Sequence, residues 1–487
     1  MTNRLRRADP VGRLLTDPEV ATPAFVIDDA KLQVNLDFAK EKAARLGVTL
    51  RPHLKTHKSI EIARRQMLSP EGPATVSTLA EARYFAENGV KDLIYAVGIA
   101  PQKLADVAAI REAGCDLKII LDNVAAAKAV SAFCTRRGVT IPVLIEVDCD
   151  GHRSGVRPES ELLIEIARAL TDGAELAGVL THAGASYDVE NLAVIRRAAA
   201  NERDGIVTAA NRLREAGFEV RIVSIGSTPT MTHAEDETGV TEIRAGVYAL
   251  GDLFMMNLGV VPMDRIAGTV LCTVIGHQPE KGQVIVDAGW MAMSRDRGTA
   301  RQHCDFGYGL VCDVDGRPLR GCDIRMTGAN QEHGIIEAAA GDRLKPEDLP
   351  VGTHLRIMPN HACPTAAPYE KLLLVNEEGR VTAALDHVRG WWRLLFVVLR
   401  RGPPPAQPSG RPFSSERAPF LTFFFRPLSG GIPQSGFSRK LLPTFSGIGK
   451  TRATCRLSTA LRRKLFADRR FGKCKRCNAQ SWIHHER

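Results

Sequence analysis

The stretch Arg51-Pro52-His53-Leu54-Lys55-Thr56-His57-Lys58 follows a short apolar run, residues 48–50, and precedes a helical pattern that starts at Ser59. A lysine at the point where a strand gives way to a helix lies at the carboxyl end of that strand, where α/β proteins collect reactive groups. Histidines rather than acids flank this lysine. On its own the octapeptide is more typical of a basic loop of solvated charges, so its interpretation depends on the rest of the chain.

Around this stretch, short apolar runs alternate with amphipathic helical patterns. The runs are continuous, which is typical of parallel strands that are covered on their outer face. Eight such units favour a closed (β/α)8 barrel of the TIM type over an open sheet, and we assign residues 29–265 to it. The predicted strands cover residues 48–54, 74–77, 92–97, 117–122, 142–148, 177–182, 220–226 and 241–248. The predicted helices include residues 79–88, 103–113, 124–137 and 160–169.

The pattern changes after Arg265. Short alternating runs broken by Gly, Pro and Asp follow without helical partners, which indicates a mainly antiparallel β domain over residues 266–392. These runs cover residues 268–275, 283–288, 355–358 and 371–376. Another run, residues 23–28, precedes the first barrel strand. We therefore expect the N-terminal segment, residues 1–28, to pair with the sheet of the β domain.

Charge is distributed unevenly along the 487 residues. The net charge is +10, yet residues 393–487 hold 20 of the 65 basic and 3 of the 55 acidic residues. The body of the chain is therefore mildly acidic, which argues against a nucleic-acid-binding surface there. The tail has no sustained periodicity, and we expect it to be poorly structured. Its Cys474-Lys475-Arg476-Cys477 segment resembles half a zinc knuckle, but the irregular spacing of the other Cys and His residues disfavours that interpretation.

Eleven cysteines are scattered without a disulfide framework, and residues 1–13 lack the apolar core of a signal peptide. No apolar run is long enough to span a bilayer; residues 394–399 are far too few. These features predict a cytoplasmic protein with free thiols and no membrane partner.

Polar residues at the ends of the eight runs carry the predicted chemistry, because the carboxyl ends of barrel strands converge on one face. Glycine beside hydroxyl residues, as in Gly226-Ser227-Thr228, offers the backbone N–H groups that a phosphate requires. A lysine amine such as that of Lys55 is what an aldehyde requires. Together they indicate pyridoxal phosphate held as a Schiff base. Alone, each part is weak: Gly226-Ser227-Thr228 is more typical of an ordinary turn. A single His182 on an apolar strand is more typical of a satisfied core histidine.

Pro359-Asn360-His361-Ala362-Cys363 is the second informative stretch. If the segment is extended, His361 and Cys363 lie two residues apart and point to the same side. Imidazole and thiolate together suit a borderline-soft metal ion such as Zn²⁺, with Mn²⁺ as the second choice. From the spacing alone, a buried free cysteine near an unrelated histidine is at least equally consistent.

Seven segments in this order resemble the D-serine dehydratase and D-threonine aldolase family. These are fold-type III pyridoxal phosphate enzymes, related to alanine racemase through the barrel. The resemblance covers approximately residues 22–392 and rests on RPHLKTHK (51–58), TVSTLAEA (75–82), DGHRSG (150–155), THAGASY (181–187), GSTPT (226–230), TEIRAGVY (241–248) and PNHAC (359–363).

The resemblance implies roles for individual residues. Lys55 holds the cofactor and then acts as the base at Cα, and His361 and Cys363 bind the metal. The residues implied around the cofactor ring are Arg153, His182 and Tyr187. Those implied at the phosphate are Gly226, Ser227, Thr228, Gly246 and Tyr248. The resemblance also implies a homodimer.

The expected activity is that of a lyase on 3-hydroxy D-amino acids. In the family pattern, His-x-Cys accompanies dehydration and His-x-Asp accompanies the aldolase branch, so Cys363 favours dehydration of D-serine or a related substrate. Retro-aldol cleavage to glycine and an aldehyde is the alternative. An amino-acid racemase, which would need a second base rather than His361 and Cys363, is a further alternative. A cofactor carrier without catalysis would lack the stretch after Arg265, and a nucleic-acid or membrane-surface protein would depend on the tail.

Overall fold

A computed structural model describes residues 9–188, 191–338 and 342–391. The chain begins with strand β1 (Ala24–Asp28) and helix α1 (Asp29–Arg45). The eight strands that follow are β2 (Thr49–Leu50), β3 (Ala74–Val76), β4 (Asp92–Gly98), β5 (Asp116–Leu121), β6 (Ile141–Val147), β7 (Ala174–Thr181), β8 (Ile222–Ile225) and β9 (Glu242–Ile243). Their helices are α2 (Ile60–Gln66), α3 (Leu79–Glu87), α4 (Leu104–Glu112), α5 (Val124–Arg137), α6 (Leu162–Arg168), α7 (Leu192–Glu215), α8 (Thr228–His233) and α9 (Leu253–Asn257).

All eight strands are parallel and lie in the order β2-β9-β8-β7-β6-β5-β4-β3. A parallel bridge between His53 and Thr75 joins the two ends of this order, so the strands form a ring. The predicted (β/α)8 barrel is thereby confirmed. Strand β6 is buried at all seven positions, as expected of a strand that is covered on both faces.

Local sequence explains where the helices begin and end. The hydroxyl of Thr78 accepts the N–H of Glu81, and the side chain of Asn123 accepts that of Ala126, so each caps its helix. Gly138 ends α5 in the left-handed conformation, with φ of 65°. The observed bounds of α3, α4, α5 and α6 lie within two residues of the predicted ones. The longest of the described helices, α7, has 24 residues and was not predicted.

The β domain contains strands β10 (Gly268–Gln278), β11 (Gln283–Val286), β12 (Gly309–Cys312), β13 (Arg325–Ala329), β14 (Gly334–Glu337), β15 (His354–Pro359), β16 (Leu372–Val375) and β17 (Val381–Leu385). It also carries the short helices α10 (Trp290–Met293) and α11 (Ala362–Ala366). The strand order is β11-β14-β13-β12-β15-β10-β1-β16-β17, and β11 also pairs with β10. Six strands therefore close into a second ring, whose pairings are all antiparallel.

Strand β1 pairs antiparallel with β10 and parallel with β16, so the segment before the barrel lies in the sheet of the β domain. Several strands of this domain are short and interrupted, and β12, β13, β14 and β17 were not predicted from the sequence. A four- or five-residue strand gives too few alternations for a period of two to be recognised.

None of the described helices is both long and apolar enough to cross a membrane. The free thiols in the described ranges include those of Cys115, Cys134, Cys149, Cys272, Cys312 and Cys363. The basic tail, residues 393–487, and within it the segment Cys474–Cys477 that resembles half a zinc knuckle, lie outside the described residues.

Candidate active site

A cavity of about 500 Å³ opens at the carboxyl ends of the barrel strands, and residues of the β domain complete its wall. Ten of the eleven predicted site residues line it. They are Lys55, Arg153, His182, Tyr187, Gly226, Ser227, Thr228, Gly246, His361 and Cys363. The chain therefore brings the predicted cofactor residues and the predicted metal ligands to one place.

Lys55 lies in a single 3-10 turn, Leu54–Thr56, which begins four residues after the end of β2 at Leu50. The Nδ1 atom of His53 accepts the backbone N–H of Lys55 at 3.4 Å and so caps this turn. Burial, with the nearby charges of Lys55 and Arg244, holds the pKa of His53 well below its usual value. The amine of Lys55 therefore stands beside a neutral imidazole rather than a carboxylate.

His182 and Tyr187 form one wall of the cavity, with ring centroids 5.9 Å apart. The Nδ1 atom of His182 donates to the carbonyl of Gly226 at 2.8 Å. Burial lowers the pKa of His182 to about 3, so the ring is neutral and its Nε2 atom is an acceptor. Burial also raises the pKa of Tyr187, which therefore keeps its phenolic proton.

The loop after β8 is built for close approach. Gly226 has φ of 143°, and a Cβ atom there would lie 1.8 Å from the carbonyl oxygen of Arg244. Ser227 caps α8 through the N–H of Thr230, and the Thr230 hydroxyl accepts the N–H of Ser227 in return. The buried Oγ1 atom of Thr228 has no hydrogen-bond partner among the described residues. It is a polar group left for a ligand to satisfy.

A second glycine of the cavity wall, Gly246, also lies at a point of close approach. A Cβ atom on Gly246 would lie 2.8 Å from the carbonyl oxygen of His53, so this position has no room for a side chain.

Arg153 lies on the loop after β6, and its Nη2 atom is 3.3 Å from Oε1 of Glu146. This guanidinium is half exposed and carries a positive charge to the rim.

Tyr248 does not line the cavity, in contrast to the expectation from the resemblance. It lies in the 3-10 turn Val247–Ala249, where it is buried. Its hydroxyl accepts a hydrogen bond from Nε2 of Gln66 at 2.9 Å. The turn after Gly246 directs this side chain into the packing around α2, away from the mouth of the barrel.

His361 and Cys363 lie where β15 gives way to α11. His361 is extended and Cys363 is helical, so the premise of one extended segment is wrong. The Nδ1 atom of His361 donates to Oδ2 of Asp296 at 2.9 Å, and the ring also forms a hydrogen bond with Cys363, so Nε2 is the nitrogen that remains for a metal ion. Burial alone would raise the pKa of Cys363, but the neighbouring His361 lowers it below its usual value. Burial alone would lower the pKa of His361, but the neighbouring Cys363 raises it well above its usual value. A metal ion would therefore bind the Cys363 thiolate and displace a proton from the His361 ring.

The described residues hold no group of three or more His, Cys, Asp or Glu side chains with the geometry of a metal site. His361 and Cys363 would therefore be two protein ligands, and water or substrate would supply the remaining positions. This donor set fits a divalent ion that must also reach a substrate oxygen.

The lining residues that were not assigned from the sequence include Arg244, Asp252, Asp296 and Arg301. Arg244 lay within the quoted TEIRAGVY segment, and burial lowers the pKa of its guanidinium to about 10. Asp252 accepts the N–H groups of Met255 and Ala362, which joins α9 to α11. Asp296 and Arg301 lie in an irregular stretch of the β domain, where no periodicity distinguishes them.

The parallel barrel joined to an antiparallel β domain, with the cavity at their junction, defines the class of fold-type III pyridoxal phosphate enzymes. Residues 27–253 match the family model "Alanine racemase, N-terminal domain", and residues 267–375 match "Putative serine dehydratase domain". The chain belongs to the D-serine dehydratase and D-threonine aldolase family within that class.

Proteins similar to this chain include dehydratases and an aldolase. The D-threo-3-hydroxyaspartate dehydratase of Delftia sp. is 49% identical over 376 residues, which is 76% of this chain and 98% of that protein. The D-serine dehydratase of Dictyostelium discoideum is 29% identical, over 76% of this chain and 97% of that protein. The D-threonine aldolase of Arthrobacter sp. is 28% identical, over 76% and 91%.

A solved structure of the Delftia sp. HT23 dehydratase has a TM-score of 0.75 and 48% identity, over 78% of this chain and all of that one. Mutants of that enzyme in which a histidine, or a cysteine two residues further on, is replaced by alanine have also been solved. The cysteine mutant is described as being in the metal-free form.

Proposed function

We propose that this chain is a pyridoxal phosphate- and metal-dependent lyase that dehydrates a 3-hydroxy D-amino acid. D-threo-3-hydroxyaspartate and D-serine are the candidate substrates, because the dehydratases named for them are 49% and 29% identical to this chain. The single observation that carries the proposal is that Lys55, His361 and Cys363 line one cavity. The products are an oxo acid and ammonia.

Pyridoxal phosphate fits the residues present. The phosphate would occupy the space that Gly226 and Gly246 leave open, and the unpaired Oγ1 atom of Thr228 would donate to it. His182 and Tyr187 would flank the ring, and Lys55 would hold the aldehyde carbon. When bound, the cofactor withdraws electrons from Cα of the substrate and stabilises the charge left when a bond to Cα breaks.

Lys55 is the proposed base for the Cα proton. Dehydration removes this proton and the β-hydroxyl, which leave together as water. The enamine that remains takes up water and releases ammonia, so the net reaction converts the substrate to an oxo acid and ammonia. The neutral imidazoles of His53 and His182 beside Lys55 leave the amine as the basic group on this wall.

Hydroxide leaves slowly unless a Lewis acid stabilises its negative charge. A metal ion held by His361 and Cys363 would be that Lewis acid. Zn²⁺ is the favoured ion, because it accepts imidazole and thiolate together, and Mn²⁺ is the second candidate. The metal-free description of a cysteine mutant of the 48% identical dehydratase supports this assignment, since the replaced residues have the spacing of His361 and Cys363.

Retro-aldol cleavage is the second candidate, favoured by 28% identity to a D-threonine aldolase over 91% of that protein. Both reactions would begin from the same bound substrate. Dehydration starts with loss of the Cα proton, whereas cleavage starts with loss of the hydroxyl proton. A racemase, the further alternative, would have no use for His361 and Cys363.

The test is incubation of the purified protein with D-threo-3-hydroxyaspartate, D-serine and D-threonine, with added pyridoxal phosphate and Zn²⁺ or Mn²⁺. We expect oxo acid and ammonia in equal amounts from the first two. Glycine and an aldehyde as the main products would favour the aldolase instead. A change of optical rotation without either product pair would favour the racemase.

The predicted homodimer and cytoplasmic location are kept as part of this proposal. Sedimentation of the holoenzyme would give the oligomeric state, and fractionation of the cells that express it would give the location.

A further inference from the structure

Glu202 lies in the middle of α7, on the face that packs against β7 and β8. Its side chain is fully buried. One oxygen, Oε1, accepts the backbone N–H of Ala183 at 2.9 Å and that of Gly226 at 3.0 Å. Ala183 directly follows His182, and Gly226 directly precedes Ser227. A single carboxyl oxygen thus joins the loop after β7, which carries His182, to the loop after β8, which carries Gly226.

A carboxyl group in the interior of an α/β barrel has an energetic cost, and burial accordingly raises the pKa of Glu202. Its Oε2 atom has no hydrogen-bond partner within the described ranges. Neither oxygen lies at the cavity surface, so Glu202 does not contact a ligand directly. The two hydrogen bonds that Oε1 accepts come from the residues at the ends of β7 and β8, where the proposed cofactor would bind.

A second hydrogen bond between the same two loops supports a role for Glu202 in holding them together. The Nδ1 atom of His182 donates to the carbonyl of Gly226 at 2.8 Å, so the same two loops are also joined across the cavity wall. Glu202 holds the N–H group of Gly226, and His182 holds the carbonyl group of the same residue. Without Glu202, two buried N–H groups would lose their acceptor and the loops would separate to reach water.

We infer that Glu202 is a positioning residue that fixes the spacing of the β7 and β8 loops and thereby sets the affinity for the cofactor. The inference rests on the proposed function, because it takes pyridoxal phosphate as the ligand of the cavity. It assigns to α7 a part in cofactor binding although this helix does not line the site.

The test is titration of the apoprotein with pyridoxal phosphate, followed by the visible absorbance of the bound cofactor. We expect Glu202→Leu to raise the dissociation constant by about 10- to 100-fold, since two N–H groups lose a strong acceptor. Glu202→Gln keeps an oxygen that accepts both N–H groups, so its dissociation constant stays within about threefold of that of the wild type. A role in folding alone would lower the melting temperature of the apoprotein without this difference in affinity.

Ser131→Ala is the matched control. Ser131 is a buried helical residue whose hydroxyl joins α5 to the loop after α6, with 2.9 Å to the carbonyl of Ala169, and it does not line the cavity. We expect this variant to lower the melting temperature while the dissociation constant changes by less than about twofold. Should Glu202→Leu yield no folded protein, Glu202→Asp replaces it, because the shorter side chain cannot reach both N–H groups.

Wild-type affinity in Glu202→Leu, or in Glu202→Asp where that variant replaces it, would overturn the inference. So would equally weak binding in Glu202→Gln, or a comparable loss in Ser131→Ala. A wild-type protein that binds no pyridoxal phosphate would overturn the proposed function, and this inference with it.

Discussion

The hydroxyl of Thr56 lies 3.2 Å from the sulfur of Cys363, although 307 residues separate them. This contact joins the turn that carries Lys55 to the helix that carries a proposed metal ligand. Because a strand end of the barrel and a strand end of the β domain meet here, an amine and a thiolate face the same cavity.

Replacement of Lys55 by alanine removes the amine that we propose both to hold the cofactor and to take the Cα proton. We expect kcat to fall by about 10³-fold, the middle of the range for loss of a general base, with loss of the visible absorbance. Both are measured on protein reconstituted with excess pyridoxal phosphate. Lys91→Ala is the control, because Lys91 is exposed and its partner is Glu71. Retention of the absorbance in Lys55→Ala would contradict the assignment.

Replacement of Cys363 by alanine removes the thiolate ligand. We expect the metal content, measured by mass spectrometry after dialysis, to fall with dehydratase activity, while the cofactor absorbance persists. Cys134→Ala is the control, since Cys134 is buried in α5 and does not line the cavity. Full metal content in Cys363→Ala would show that the ion binds elsewhere.

Asp296 holds the ring of His361 through a 2.9 Å hydrogen bond from Nδ1. Such partners orient a ligand histidine, and their loss typically weakens metal binding by about 10- to 100-fold. We expect Asp296→Asn to shift the metal dissociation constant in this range, measured by competition with a chelator. Asp305→Asn serves as the control, because Asp305 lies in the same domain but does not line the cavity. An unchanged constant in Asp296→Asn would exclude this supporting role.

Arg301 lines the cavity on the same side as Asp296, and its side chain is 82% exposed, with Nη2 3.8 Å from Asp188. A substrate with a carboxylate on Cβ would place that carboxylate near the Arg301 guanidinium, whereas D-serine has no carboxylate on Cβ. We expect Arg301→Gln to lower kcat/KM for D-threo-3-hydroxyaspartate by about 10- to 100-fold relative to that for D-serine. Arg297→Gln, whose partner is Asp305, should leave the ratio unchanged. Equal losses on both substrates would refute a role in specificity.

His57 is fully buried, with its Nε2 atom 2.8 Å from Oε1 of Gln66, and burial lowers its pKa to about 4. The unfolded chain binds a proton near pH 6.5, so the stability from neutral His57 is complete above that pH and is lost as the pH falls towards 4. We expect the free energy of unfolding to decrease by about 2 kcal/mol more between pH 7 and pH 5 in the wild type than in His57→Gln. Denaturant titrations at the two pH values measure this, and parallel curves would contradict the assignment.

The sequence by itself determined the barrel. Eight apolar runs were recognisable because strands buried on both faces must be apolar at nearly every position, and β6 is buried at all seven. Lys55 and Ser227 were found for the same reason, since polar residues that directly follow such runs lie on one face of the barrel. The family followed from seven ordered motifs rather than from any one of them.

Only the tertiary structure decided how the β domain completes the site. His361 and Cys363 converge because β15 turns into α11, not because an extended strand alternates its side chains. Asp296, Arg301 and Glu202 gave no local signal, since their partners lie on other elements and sequence periodicity reports only which face of an element is buried. Tyr248 shows the same limit: a motif places a residue near the mouth of the barrel, but the backbone turn at Gly246 and the packing around Gln66 decide where its side chain points.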